Sequence, residues 1–340
     1  MQKLGIPQVD LVDFQSDSPE RRTAFVTRLG QALEEIGFVA IANPGLDSQL
    51  VAQAYASAQA FFALPDSVKQ QYEIPRLNGQ RGFTSLGKEH AKDQPAPDLK
   101  EFWHLGQELP QKHPLKQVYP ANLWPREVPD FYPTFLNLYQ QLEICANTLL
   151  EACAIYLQEP PGLFQNMATN GNTILRVLHY PALDTLVPRN QVIDPRANQT
   201  ANLLKSPDCH NPYPIRAAAH EDINLITLLC EATEPGLELL QLDGSWKPIH
   251  SLQGQVICNC GDMLQWVTNG LFKSATHRVV NGDDRHNPRF SMPLFLHPRP
   301  EVDLTPLPSC IARTGNQVKF PPITAAAYLQ KRLEEIGLST

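Results

Sequence analysis

The stretch His220-Glu221-Asp222-Ile223-Asn224-Leu225-Ile226-Thr227-Leu228-Leu229 decides how the rest of this 340-residue chain is read. An imidazole and a carboxylate two residues apart lead into an apolar run. In a strand, alternate side chains share a face, so His220 and Asp222 would stand side by side. Such a pair is half of a metal site; taken alone it equally suits a capping histidine and a turn aspartate. A second imidazole must come from another strand. His277, in Ser274-Ala275-Thr276-His277-Arg278-Val279, is the best candidate. Two histidines and one carboxylate leave three metal positions open, which suits non-haem Fe(II) working with oxygen and an organic chelator. A structural zinc site would close with four protein ligands.

Beyond His277 comes Arg289-Phe290-Ser291. Arg289 and Ser291 lie two apart in an expected strand and share a face. A guanidinium grips a carboxylate with two parallel hydrogen bonds, and a hydroxyl adds a third. Beside a metal, that pair suits the far carboxylate of a dicarboxylate whose near end chelates the ion. A surface arginine and a strand serine are the plainer alternative.

Outward from these residues, the chain changes character near residue 173. Short apolar runs then alternate with turn signals, the pattern of an antiparallel barrel or jelly roll. Ile174 to Tyr180 reads as one strand and Phe290 to Leu296 as a late one. Asp243-Gly244 joins Gly236–Leu242 to Trp246–Ile249 as a hairpin, and Asn269-Gly270 joins Met263–Thr268 to Leu271–Lys273 as another. Towards the N-terminus, Ser18-Pro19 starts a helix that Gly37 stops, and Phe38–Ile41 is a short buried strand. Asp47 caps a second helix, and a third runs from about Asp130 to Leu157. Residues 73 to 127 read as loops with short strands. Thr324 caps a last helix, Ala325 to Ile336, stopped by Gly337.

Taken together, the landmarks resemble the 2-oxoglutarate- and Fe(II)-dependent oxygenases of the isopenicillin N synthase-like family, over nearly the whole chain. The carriers are His220-x-Asp222, His277 and Arg289-x-Ser291, with Ile6-Pro7-x-Val9-Asp10-Leu11, Gly37-Phe38-x3-Asn43-Pro44-Gly45, Phe61-Phe62-x-Leu64-Pro65, Gly261-Asp262, Thr268-Asn269-Gly270 and Lys273-Ser274-x2-His277-Arg278-Val279. The resemblance implies an α+β fold with a mainly β core, a double-stranded β-helix (jelly roll) flanked by α-helices. It implies an N-terminal mixed region over 1–125, a connecting helical segment over 126–165, the oxygenase core over 166–300 and a C-terminal tail and helix over 301–340. His220, Asp222 and His277 would be the Fe(II) ligands and the catalytic centre. Arg289, Ser291 and Tyr180 would hold 2-oxoglutarate, with O2 as the second cosubstrate. Plant members commonly carry asparagine two residues before that tyrosine, where this chain has Leu178. Related halogenases replace the metal carboxylate with a small residue; Asp222 remains, which favours hydroxylation or another oxidation over halogenation. Arg81, Phe83, Phe102 and Trp103 are candidates to line the substrate pocket, with ordinary loop and packing roles as their alternative.

Composition bounds the remaining classes. Lys plus Arg number 28 against 35 Asp plus Glu, a net charge of -7, and no basic stretch stands out. A nucleic-acid backbone binder is therefore disfavoured. No run approaches the length of a membrane span and no apolar signal segment opens the chain. Seven scattered cysteines read as free thiols in a reducing compartment, so the expectation is a cytoplasmic enzyme with a small-molecule substrate and no obligate protein partner. Gly82-Phe-Thr-Ser-Leu-Gly87-Lys88 is one residue short of a phosphate loop, and Glu89 follows where Ser or Thr should stand. No two glycines lie two apart, so the dinucleotide fingerprint is absent, and Asn224 stands where a zinc-protease motif needs its second histidine. The other histidines, including His90, His104, His210 and His297, lack partners at a useful spacing and read as solvated or structural; His179 should point away from Tyr180. Two rival readings stay open: an Fe(II) oxidase that does not use 2-oxoglutarate, as in the penicillin-forming members, and a non-catalytic binding protein retaining the fold.

Overall fold

The computed structural model describes residues 5–89, 98–186, 216–250, 253–281 and 286–335. Its strands, in chain order, are β1 (Gln8–Asp10), β2 (Phe38–Ala42), β3 (Gly82–Thr84), β4 (Glu101–Gly106), β5 (Ile174–Tyr180), β6 (Ala217–His220) and β7 (Ile226–Cys230). They continue as β8 (Leu237–Leu240), β9 (Trp246–Pro248), β10 (Val256–Cys260), β11 (His277–Val279), β12 (Arg289–Ser291) and β13 (Pro293–Leu296). His90, His210 and Gly337, all considered above, lie outside the described residues.

Local chemistry sets the helix ends. Ser18 Oγ accepts from the Arg21 N–H at the start of helix Pro19–Glu35, and Pro19 needs no donor there. Phe25, Leu29, Ala32 and Leu33 form its buried stripe. Gly37 then turns the chain with φ +79°, and a Cβ there would sit 2.2 Å from the Lys273 carbonyl oxygen. Only glycine lets β2 start this close to the segment leading to His277. Asp47 caps helix Ser48–Phe62, and the long helix Phe131–Tyr156 buries Phe135, Leu138, Leu142, Cys145, Leu149 and Ala152.

Two sheets result among the described residues. Nine strands form the larger, in the order β1-β2-β10-β7-β13-β5-β4-β3 with β12 also on β5. Four form the smaller, β6-β11-β8-β9. Alternation along the large sheet makes two cores. Val39, Ile41, Trp103, Leu175, Val177, Leu228 and Leu294 pack towards the helices. Phe38, Ala40, Phe102, Leu178, Tyr180 and Ile257 pack with Ala217, Leu237, Leu239 and Val279 of the small sheet. Across the space between the sheets, His277 of β11 meets Phe38 of β2, their ring centroids 5.4 Å apart. No helix among the described residues is long and apolar enough to cross a membrane.

Three sequence expectations need correction. The supposed hairpin around Asn269-Gly270 is instead helix Asp262–Val267 and its end, with Asn269 at φ 54° and Gly270 at φ 76°. A left-handed Asn-Gly pair closes a helix as readily as a hairpin, and Met263, Leu264 and Val267 are buried at helical spacing. The late strand is two, β12 and β13, interrupted at Met292. Finally, β6 ends at His220, so Asp222 lies in the connection to β7 rather than within a strand. It reaches His220 through the turn of the chain, not through strand alternation.

Candidate metal and 2-oxoglutarate site

His220 and His277 are direct cross-strand partners on β6 and β11, with ring centroids 4.4 Å apart. Each ring is oriented the same way. His220 Nδ1 lies 2.7 Å from the Ala218 carbonyl, and His277 Nδ1 lies 3.0 Å from the Ala275 carbonyl. Both carbonyls accept, so both Nδ1 atoms carry the proton and both Nε2 atoms are left as bases. Asp222 Oδ1 lies 3.8 Å from His220 Nε2 and 3.9 Å from His277 Nε2. Its other oxygen accepts from Thr227 Oγ1 at 2.7 Å and Asn259 Nδ2 at 2.8 Å. One atom from each of His220, Asp222 and His277 thus lies within 4.8 Å of the others.

The surrounding chain locks this geometry. Asp222 accepts the Asp262 N–H through its carbonyl at 2.7 Å. A Cβ on Gly261 would meet the Asn224 carbonyl oxygen at 2.2 Å, so the two segments close only over glycine. Thr276 Oγ1 donates to Glu221 Oε1 at 2.6 Å, tying the two histidine segments together. Just ahead of β4, Asp98 Oδ1 accepts the Ala218 N–H at 3.0 Å and Lys100 Nζ holds its other oxygen at 2.7 Å.

Electrostatics follow. Burial pushes the Asp222 carboxyl up, but the facing His277 and His220 rings, with the Asn259 and Thr227 hydrogen bonds, bring it below its usual value. Burial and the neighbouring His277 pull His220 down to about 4, with Asp222 opposing. Two imidazole nitrogens and a carboxylate oxygen therefore converge, the donor set of a divalent transition metal. The residues fit Fe(II).

The second constellation suits a carboxylate. Arg289 and Ser291 pair across β12–β5 with Tyr180 and Leu178, all on the face turned to the small sheet. Arg289 is 2% exposed; its Nε donates to the Glu234 carbonyl at 3.0 Å, and its Cζ lies 5.2 Å from the Tyr180 ring centre. Its Nη1 is buried and finds no partner among the described residues. A buried guanidinium edge without an acceptor is costly unless an anion completes it, which a carboxylate does.

The four expected pocket residues divide. Phe102 faces the space between the sheets. Trp103 and Phe83 face the helices on the opposite side, because neighbours on β4 alternate and Phe83 pairs with Trp103. Arg81 is buried beside Gly106, donating to the Gln80 carbonyl and to Asn172 Oδ1. Trp103 and Phe83 are packing residues, whereas the Arg81 guanidinium lies on the Phe102 and His104 side of β4, its Nε buried and without a partner among the described residues. His179 points away from Tyr180, as expected, and bonds Glu101 at 2.7 Å. Sequence reasoning missed Arg176, His104 and His297. Arg176 and His104 are paired on β5 and β4, inward with Leu178 and Phe102. His297, just past β13, feels the Asp222 charge. Only strand register reveals the first two; continued alternation after Phe295 could have suggested the third.

Two of these histidines carry a pH prediction. Burial and Arg176 hold His104 well below the usual histidine range, and burial pulls His297 down to about 4. Between pH 6.5 and 4.5 the unfolded chain binds protons at these sites that the folded chain refuses, so stability falls as pH falls. The melting temperature of metal-free protein should drop between pH 7 and pH 5, and His104→Gln should flatten part of the slope. A melting temperature constant over that range contradicts the assignment.

Comparison with known proteins agrees with this geometry. Residues 6–127 match the model of the non-haem dioxygenase N-terminal region described from morphine synthesis, and residues 196–298 match that of the 2OG-Fe(II) oxygenase superfamily. A 2-oxoglutarate-Fe(II) type oxidoreductase of Emericella nidulans is 28% identical, over 94% of this chain and 86% of the relative. A crystal structure assigned to the 2OG-Fe(II) oxygenase family, from Caulobacter crescentus, is 36% identical with a TM-score of 0.81, covering 98% of this chain and 100% of that one. A full-length Neurospora crassa protein, solved in complex with alpha-KG, shares the fold at TM-score 0.80 and 24% identity over 98% and 99% of the two chains. Fold and site thus define a non-haem iron enzyme. The chain belongs to the 2OG-Fe(II) oxygenase superfamily, whose members are oxidoreductases using Fe(II) and 2-oxoglutarate.

Proposed function

We propose that this chain hydroxylates a small organic molecule held between its two sheets, with Fe(II) on His220, Asp222 and His277 and 2-oxoglutarate on Arg289, Ser291 and Tyr180. The observation that carries the reading is the convergence of two imidazoles and a carboxylate, their ligand atoms within 4.8 Å of one another, with the unpartnered Arg289 Nη1 on the facing sheet. Bound together, Fe(II), 2-oxoglutarate and O2 supply the oxidising power, with succinate and CO2 released.

The chain's own residues bind and orient. The Ala218 and Ala275 carbonyls fix both imidazole tautomers, and Thr227 with Asn259 leaves one Asp222 oxygen for the ion. Arg289 neutralises the distal carboxylate of 2-oxoglutarate, and Ser291 and Tyr180 complete its contacts. The apolar walls from Phe38, Phe102, Leu178 and Leu239 exclude water around the reacting centre. We read the two sheets as the walls of a double-stranded β-helix, with 166–300 as its core. The regions 1–125, 126–165 and 301–340 supply flanking strands and helices; β1 to β4, from the first region, extend the large sheet.

Oxygen uptake by the iron-loaded protein tests the reading. With a turnover substrate or as slow uncoupled consumption, uptake should require added 2-oxoglutarate and release succinate in step. Uptake independent of 2-oxoglutarate would point to an oxidase instead.

A further inference from the structure

We propose that Arg176 reads the substrate, its free guanidinium edge taking one uncharged acceptor oxygen (an amide, ketone or lactam carbonyl) of a molecule with an apolar body. This rests on the reading above only for where oxidation occurs. Arg176 shares the inward face of β5 with Leu178 and Tyr180, opposite His104 on β4. Its guanidinium carbon lies 4.4 Å from the Phe102 ring centre and 5.4 Å from that of Phe295. Phe295 is the ladder neighbour of Thr227, whose hydroxyl holds Asp222. Arg176 therefore stands on the wall beside the donor triad, one strand removed.

Two edges of the guanidinium are used. Nε donates to His104 Nε2, whose Nδ1 in turn donates to the Gly79 carbonyl. Nη1 donates to both Glu89 oxygens, at 3.1 and 3.2 Å. Nη2 donates to nothing among the described residues, and 18% of the side chain stays accessible. Holding strands together uses the Nε and Nη1 edges and leaves the Nη2 donor for another partner.

Charge counting selects the acceptor. Lys100 Nζ sits 2.7 Å from Asp98 and 3.4 Å from Glu89, so two cations, Arg176 and Lys100, face two anions, Glu89 and Asp98. Burial works to raise Glu89, but Arg176 and Lys100 keep it ionised. The cluster is already balanced. A carboxylate arriving here would be an uncompensated charge next to Glu89, whereas a carbonyl gains a charge-assisted hydrogen bond and changes no balance. The adjoining walls, Phe102, Leu178, Leu237 and Leu239, suit an apolar body.

The test uses phenylacetamide and phenylacetate, which share a body and differ in charge. Binding is followed by ligand-observed NMR on the full chain without metal, and the Fe(II)–2-oxoglutarate spectrum is recorded anaerobically on the same variants. Wild type should bind the amide at least about tenfold tighter than the carboxylate. Arg176→Met should lose that preference and weaken the amide about tenfold while keeping the spectrum. Arg176→Lys, which keeps the charge beside Glu89 but not the free edge, should fall between. Glu89→Gln, removing one anion, should shift preference towards phenylacetate. The proposal is overturned if wild type prefers the carboxylate, if neither probe binds, if Arg176→Met binds the amide normally, or if it abolishes the spectrum. A wild-type protein with no spectrum at all would instead count against the metal assignment, and the metal-free binding would still decide this one.

Discussion

Asp222→Ala should reduce Fe(II) affinity by at least about 100-fold, taking metal content after anaerobic loading and desalting from near one ion per chain to near zero. The carboxylate is the only anionic donor of the triad, and its free oxygen faces both Nε2 atoms at 3.8 and 3.9 Å. Without it, two neutral imidazoles remain, too few to hold a labile divalent ion. The variant should still fold. The alanine removes a buried charge and leaves Thr227 and Asn259 each short of one acceptor, a modest cost because Thr227 also meets Asn224. Asp222→Asn keeps the shape but not the charge and should lose most of the affinity as well. Metal content, with circular dichroism to verify the fold, checks both; near-stoichiometric iron in Asp222→Ala contradicts the ligand assignment.

The second large effect belongs to Arg289. Arg289→Ala should raise the 2-oxoglutarate concentration needed for half-saturation on the order of 100-fold, about 3 kcal/mol of lost charge-assisted bonding. Iron binding should change little, because Arg289 lies on β12 of the large sheet while the histidines lie on the small one. Arg289→Lys tests the geometry: it keeps a charge but loses the planar fork fixed by the Glu234 carbonyl, and should recover only part of the affinity. Titrating 2-oxoglutarate into the anaerobic iron-loaded variants gives both numbers. Equal affinity in wild type and Arg289→Ala would remove the arginine from the cosubstrate site.

The metal triad was legible because its signal is local: a His-x-Asp pair, and a histidine inside a recognisable Lys273-to-Val279 segment. Even so, the route to that geometry was misread. Asp222 reaches His220 by a turn after β6, and His277 follows a helix rather than a hairpin. Asn269-Gly270 marks a change of direction without saying which element it ends. The pocket was less legible for a different reason. Every residue of Glu101–Gly106 is buried, so hydropathy shows no alternation, and Phe102 and Trp103 look alike until register puts them on opposite faces. Arg176 and His104 were invisible for the same reason: each is ordinary alone, and only the β4–β5 pairing makes them neighbours.

The most direct test of the central claim is the visible spectrum of the full chain with Fe(II) and 2-oxoglutarate in the absence of oxygen. A metal-to-ligand charge-transfer band that appears only when both are present, and is absent from Asp222→Ala, is the predicted result. Iron bound at His220, Asp222 and His277 with no band on adding 2-oxoglutarate, or a band that survives in Asp222→Ala, would contradict it.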